Sequence, residues 1–179
     1  MTEETNEAAF AHSQRVREPI WAAAFVALGV ILPILFHLLS IGRVFLPMHL
    51  PVLLAGLALS PRIAWAVGFI TPWLSSWLTG MPPMPMPVMM TAELIVLAEV
   101  ASLATAARLP AWAGGALAVG ARCVVSYVIV TYLASWVGLP SGASGIASVL
   151  SGTPGIILQI VAGPAFAAGF RRLRPVAGR

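Results

Sequence analysis

Six apolar stretches, each near the length that crosses a bilayer, fill almost the whole chain between residues 19 and 170. A spanning helix needs about 20 mostly apolar residues at about 1.5 Å each. The stretches are 19–39, 44–60, 62–79, 88–107, 111–136 and 154–170. The second and the last are short and carry internal proline. Backbone amides cannot stay unpaired against lipid, so only helices or a closed barrel can span. No strand-type alternation recurs. The expected fold is an all-α integral membrane protein, a bundle of six transmembrane helices. Residues 1–18 are expected as a cytoplasmic N-terminal segment, 19–171 as the membrane domain and 172–179 as a basic cytoplasmic tail.

Composition narrows the function. Hydrophobic residues make up 59% and charged residues 9%, against about a quarter charged in a soluble domain. A soluble enzyme, a disordered regulator and a nucleic-acid binder are excluded on that ground. The ten cations are all Arg; Lys and Asp are absent. Ten are too few for a stripe that tracks phosphates, and they read as topology signals. With the N-terminus inside, Arg15, Arg17, Arg62, Arg108, Arg171, Arg172, Arg174 and Arg179 are cytoplasmic. Arg43 falls outside and Arg122 within a span. Both termini are therefore expected in the cytoplasm. Trp21, Trp65 and Trp112 sit near inner ends, and Trp77 and Trp136 near outer ends, as an aromatic belt places them. The single Cys123 excludes an intrachain disulfide and a cysteine-built metal site. The polar start and the long apolar run after it do not match a cleavable signal peptide.

The inner connections, Ser60-Pro61-Arg62 and Arg108-Leu109-Pro110, are tight. The outer ones, 40–48, 80–87 and 137–153, are longer, and the segment from Gly138 to Gly145 is flexible by composition. Thr153-Pro154 reads as a cap with proline at the first helical position. Elaboration on the outer side points to a solute met there.

Costly residues inside the spans are the strongest functional signal. Glu93 and Glu99 lie in the fourth, Arg122 in the fifth and Gln159 in the sixth. An ionisable side chain at mid-membrane costs about 2.5–3.5 kcal/mol on insertion scales, so each marks a candidate site. Glu93 is about 21 Å and Arg122 about 17 Å from the inner ends of their helices. The short inner turn keeps those ends level, so the two can face each other. They form either a solute contact or a structural ion pair. Glu99 is about 120° around the helix from Glu93, which points it at another helix or subunit. His49 lies between Pro47 and Pro51, two prolines expected to break the helix ladder as in transporter solute sites. Trp73 and Trp77 share a face near Thr71, Ser75 and Ser76; Trp73 suits a flat ligand and Trp77 the lipid belt. Tyr127 and Ser126 follow Arg122 as weaker candidates.

The segment from Met81 to Met90, with Met48 and His49, offers soft ligands that suit Cu(I), or else an apolar lid stiffened by proline. The lid is the expected role, with no metal site. Ala23 and Ala27 form a small-xxx-small pair that permits close helix approach. No nucleophile–base pair, phosphate-binding glycine loop or HExxH-type motif is present, so the chain is not expected to be an enzyme. It has no means of hydrolysing ATP itself.

Leu46-Pro47-Met48-His49-Leu50-Pro51-Val52-Leu53-Leu54-Ala55-Gly56 resembles the helix 2 signature of substrate-binding S components of energy-coupling factor (ECF) vitamin transporters. Thr71 to Pro83, Glu93-Leu94, Gly120-Ala121-Arg122, and Pro154 to Ile160 with Pro164 resemble the same family in the same order. Ala121 stands where the resemblance implies glycine. The resemblance covers residues 20–170. It implies an outward-facing pocket beneath the outer loops; the residues read above as candidates for contact with a solute are His49, Glu93, Arg122, Gln159, Trp73 and Tyr127. It implies three partner subunits, a transmembrane coupling subunit and two cytoplasmic ATPases, which use the ATP while the chain itself needs no cofactor. It places Ala23 and Ala27 at the docking surface for the coupling subunit.

The expectation is a substrate-specific subunit in a prokaryotic inner membrane that captures a water-soluble vitamin or its precursor. Pantothenate, folate, cobalamin or a cobalamin fragment, and other small heterocycles fit that class. The alternatives are a Met/His importer of copper or another transition metal, and a non-transporting membrane scaffold subunit.

Overall fold

The computed structural model describes residues 3–38, 46–133, 136 and 145–173. Arg43, Arg174, Arg179 and the glycine-rich segment 138–144 lie outside them. Every regular element among the described residues is a helix: α1 Glu3–Leu38, α2 His49–Ala58, α3 Pro61–Thr79, α4 Met86–Ala106, α5 Ala111–Tyr132, α6 Gly145–Ser151 and α7 Thr153–Leu173.

Proline and glycine set the boundaries. Pro61 opens α3 in the first turn, where its missing N–H is no loss. Gly80 closes α3 with φ 72°, a left-handed C-terminal position that glycine adopts without a Cβ clash. Pro47 and Pro51 do not interrupt a helix, as the sequence suggested. The helix begins at His49, so Pro47 precedes it and Pro51 falls in its first turn, among donors that have no intrahelical partner anyway. Thr153 also departs from expectation. Its hydroxyl donates back to the Leu150 carbonyl at 2.7 Å instead of capping α7. Helix α1 runs unbroken from Glu3 to Leu38, and its candidate span covers Arg17–Leu38. The last outer connection contains the short helix α6, which the sequence did not indicate.

The six expected stretches all contain helix, but not six helices of spanning length. Arg17–Leu38, Met86–Ala106 and Ala111–Tyr132 are long and apolar enough to cross a membrane. Gly145–Ser151 and Thr153–Gly169, bent by 54°, make a fourth if taken as one span. Where a span over 44–60 was expected, α2 has ten residues, about 15 Å, half a hydrocarbon core.

Helices α2 and α4 form the centre. Helix α2 packs against α1, α3, α4 and α7, and α4 against α2, α3 and α5. Close approach depends on two glycines. A Cβ at Gly56 would stand 2.5 Å from the Ala98 carbonyl oxygen, and one at Gly68 2.8 Å from the Leu94 carbonyl oxygen. Leu53, Leu57, Leu94 and Leu97 fill the core around these contacts. Two hydrogen bonds hold the end of the bundle where α2 turns into α3. Ser60 Oγ donates to Glu18 of α1 at 2.6 Å, and Ser102 Oγ of α4 to the Leu59 carbonyl at 2.9 Å.

Polarity is arranged inside out. Trp77 and Trp136 are 88% exposed, and Leu38, Leu78 and Val161 also face outward. His49, Thr71, Ser75, Glu93, Arg122, Ser126 and Gln159 are buried. Water penalises such an exterior, whereas hydrocarbon accepts it and drives ionisable groups to the interior. With the long apolar helices, this arrangement supports a membrane protein.

Candidate functional site

Three helices bring one charged residue each to a common point. His49 is the first residue of α2, Glu93 lies a third of the way along α4, and Arg122 lies midway along α5. Arg122 Nη1 donates to Glu93 Oε2 at 3.1 Å. His49 Nε2 lies 3.4 Å from the same oxygen. The three are 1%, 7% and 3% exposed for His49, Glu93 and Arg122. Ser126, one turn beyond Arg122, also faces the carboxylate.

The cluster is balanced in charge but short of partners. Guanidinium and carboxylate cancel when the imidazole is neutral. Among the described residues the other arm of Arg122, Nη2, reaches only the Cys123 thiol, at 3.4 Å. Arg122 Nε and His49 Nδ1 have no partner among the described residues. Neither amide atom of Gln159 has one, although the residue is wholly buried. An unsatisfied buried polar atom costs about 1–3 kcal/mol, and most in native proteins meet a protein group or ordered water. Four such atoms on Arg122, His49 and Gln159 mark capacity to receive a polar guest. Gln159 sits on α7, which packs against both α2 and α5. No hydrogen bond joins it to the cluster.

The remaining candidates lie apart. Trp73 is 36% exposed and Tyr127 38% exposed. Tyr127 packs beneath Gly145 at the start of α6 and borders a shallow groove of about 300 Å³ with Cys123, Val124 and Ile146. A second groove, about 310 Å³ and apolar, lies between α1, α2 and α7 beside Trp21, Phe25 and Phe166. Neither groove includes the three charged residues. The segment after α3 is tied back onto that helix. Ser75 Oγ donates to the Met81 carbonyl at 2.8 Å and Ser76 Oγ to the Pro82 carbonyl at 2.9 Å. Met81, Met84 and Met86 are exposed there, while Met48 is buried in the main core and Met89 in a separate cluster with Ile129 and Val130. Ala23 and Ala27 are both on the exposed face of α1.

Sequence reasoning missed the Cys123 contact, although its place next to Arg122 was available as a signal. It also missed the bond from Ser60 to Glu18, whose residues are 42 apart in the chain. No protein-family model matches the chain, and no curated protein or solved structure matches it significantly.

Proposed function

We propose that the chain is the substrate-binding S component of an ECF-type importer, and that it captures a water-soluble vitamin or vitamin precursor from outside the cell. In this reading six helical segments sit in the inner membrane of a prokaryote with both termini in the cytoplasm. A transmembrane coupling subunit and two ATPases supply the energy. The observation that carries the reading is the buried cluster of His49, Glu93 and Arg122, drawn from three helices and left with unfilled hydrogen-bonding atoms. A membrane protein that only needed packing would gain nothing from those orphaned atoms, since each is costly in a low-dielectric interior. The signature around His49 and the order of the other motif segments favour the same family.

The orientation draws on geometry as well as on counting. The bonds from Ser60 to Glu18 and from Ser102 to Leu59 gather Arg17 and Arg62 at the end of the bundle where α4 approaches Arg108. An arginine-rich end is the cytoplasmic one. The copper reading draws less support, because Met48 and Met89 are packed in two different apolar clusters.

The test is mass spectrometry of the protein purified in mild detergent and then denatured. A released small organic molecule, absent from an Arg122→Ala preparation that remains folded, is the expected result. Release of copper alone, or of nothing from protein that also fails to bind any vitamin added to it, overturns the reading.

A further inference from the structure

The apolar groove of about 310 Å³ between α1, α2 and α7 has no part in the proposed binding role. Its origin is in the packing. Helices α1 and α7 each pack against α2, and among the described residues they have no comparable contact with each other. A slot floored by α2 therefore stays open between them. Trp21, Ala24, Leu28 and Leu32 line its α1 wall, at the three- and four-residue spacings that make one continuous helix stripe. Leu54 and Ala58 belong to the floor and Phe166 to the α7 wall. Leu28 is 43% and Phe166 62% exposed, so the slot opens toward the surroundings of the bundle.

The dimensions select what can fill it. From Trp21 to Leu32 the wall rises about 16 Å, half of a hydrocarbon core of about 30 Å. The slot thus spans one leaflet. A volume of about 310 Å³ over about 16 Å is a section of about 20 Å². An α-helix about 10–12 Å across needs at least about four times that section. A single methylene chain, whose width is set by carbon contacts at about 4 Å, fits and regains the dispersion energy that an empty apolar slot forfeits.

Charge marks one mouth of the slot. Arg17 precedes Trp21 by one turn and continues the same stripe. It is exposed, and no hydrogen bond or ion pair engages it among the described residues. Its neighbour Glu18 is engaged by Ser60 at the turn from α2 to α3. Helix α7 runs beside α2 in the same sense, since Gly152 lies against Leu46 and Gly163 against Leu53. It therefore arrives at the Ser60 end, where Arg171 stands one turn past the groove residue Ala167.

We propose that this slot is a binding site for an anionic phospholipid of the leaflet at the arginine-rich end. One acyl chain lies along Trp21, Ala24, Leu28 and Leu32. The phosphate rests beside Arg17, at the end of α7 that carries Arg171. Basic groups between membrane helices favour anionic head groups in this way. The site follows from membrane location and does not depend on the solute or on the transporter reading.

The experiment is native mass spectrometry of the full chain in mild detergent, with equal amounts of phosphatidylglycerol and phosphatidylcholine of identical chains. One phospholipid retained per chain is expected, with phosphatidylglycerol favoured. Arg17→Gln should lower that preference about fivefold, the scale of one basic residue near an anionic surface, and Arg17→Lys should keep it. In vesicles, phosphatidylglycerol with a photoreactive acyl chain should label the peptides of Leu28 and Leu54 above that of Val124, which is exposed on α5. Ala24→Trp, at an exposed position in the slot, should remove that label and leave the thermal midpoint unchanged. Equal retention of the two lipids by the unmodified chain overturns the inference. So does labelling spread evenly over the exposed faces, the mark of lipid that surrounds the bundle without a site. Label lost from the slot only where the chain self-associates assigns it to a second copy and also overturns the inference.

Discussion

Arg122 and His49 approach the same oxygen of Glu93, at 3.1 and 3.4 Å, from helices on either side of α4. One carboxylate oxygen thus links three helices. Removing one charge of a buried pair leaves the other uncompensated, at a cost of about 3–5 kcal/mol. Arg122→Ala is therefore expected to lower the thermal midpoint in detergent and to abolish solute retention. In the double variant Glu93→Gln with Arg122→Met, the midpoint should return while retention stays lost. Recovery of full binding in that variant would assign the pair to packing alone.

Gly56 and Gly68 test the closeness of the central helices. An alanine at Gly56 places a Cβ 2.5 Å from a carbonyl oxygen and 2.8 Å from the Ala101 methyl. Backbone must move, and overpacking of this kind costs about 1–3 kcal/mol. Gly120→Ala is the control, since nothing lies within 4 Å of its Cβ position. It should be neutral or slightly stabilising, as alanine favours a helix interior by about 1 kcal/mol over glycine. Thermal unfolding of the three variants checks the ranking.

Ala23 and Ala27 are exposed on α1, which contributes no residue to the buried cluster of His49, Glu93 and Arg122. Ala23→Trp or Ala27→Trp should leave solute binding by the isolated chain intact and stop ATP-driven uptake, because a bulky side chain holds a partner helix away. Binding by the isolated variant, beside pull-down and uptake by the reconstituted complex, separates the two effects. Normal uptake by both variants would mean that lipid, not protein, covers this face.

The segment between α3 and α4 should act through shape and tethering, not through sulfur. Replacing Met81, Met84 and Met86 together by Leu keeps volume, and vitamin binding should change by less than about threefold, within the tolerance of volume-conserving swaps. Ser75→Ala removes the bond to the Met81 carbonyl and should cost about 1 kcal/mol. Loss of binding in the triple variant together with loss of bound copper would favour a metal importer.

Much of this arrangement was legible in the sequence, for reasons that can be stated residue by residue. Helices α3 and α4 fall within two residues of the apolar stretches 62–79 and 88–107, because bilayer thickness fixes length. Glu93 meets Arg122 as helix rise and the short turn at Arg108 required. What escaped was set by contacts distant in the chain or by local turn chemistry. Pro47 and Pro51 looked like breaks in a long helix, but their positions relative to His49 make them a start. The small residues that lead into α6 read as loop, and the helix starts where Gly145 lies against Tyr127 and Thr131 of α5, a contact distant in the chain. The fit of Gly56 under Ala98 involves residues 42 apart, and no local pattern announces it.

The ten-residue length of α2 also bears on how the chain enters the membrane as it is made. A segment of about 15 Å is too short to be released into the bilayer alone. It must arrive together with α3, to which Ser60 and Pro61 join it by a turn too tight to cross the membrane separately. Helices α4 and α5 meet the same requirement for a different reason. Glu93 alone burdens insertion of α4 by about 2.5–3.5 kcal/mol, and Arg122 follows only after α5 has emerged. The natural units of biosynthesis are then two hairpins, α2 with α3 and α4 with α5, and the order of synthesis completes the short half-span before the charged pair closes over it.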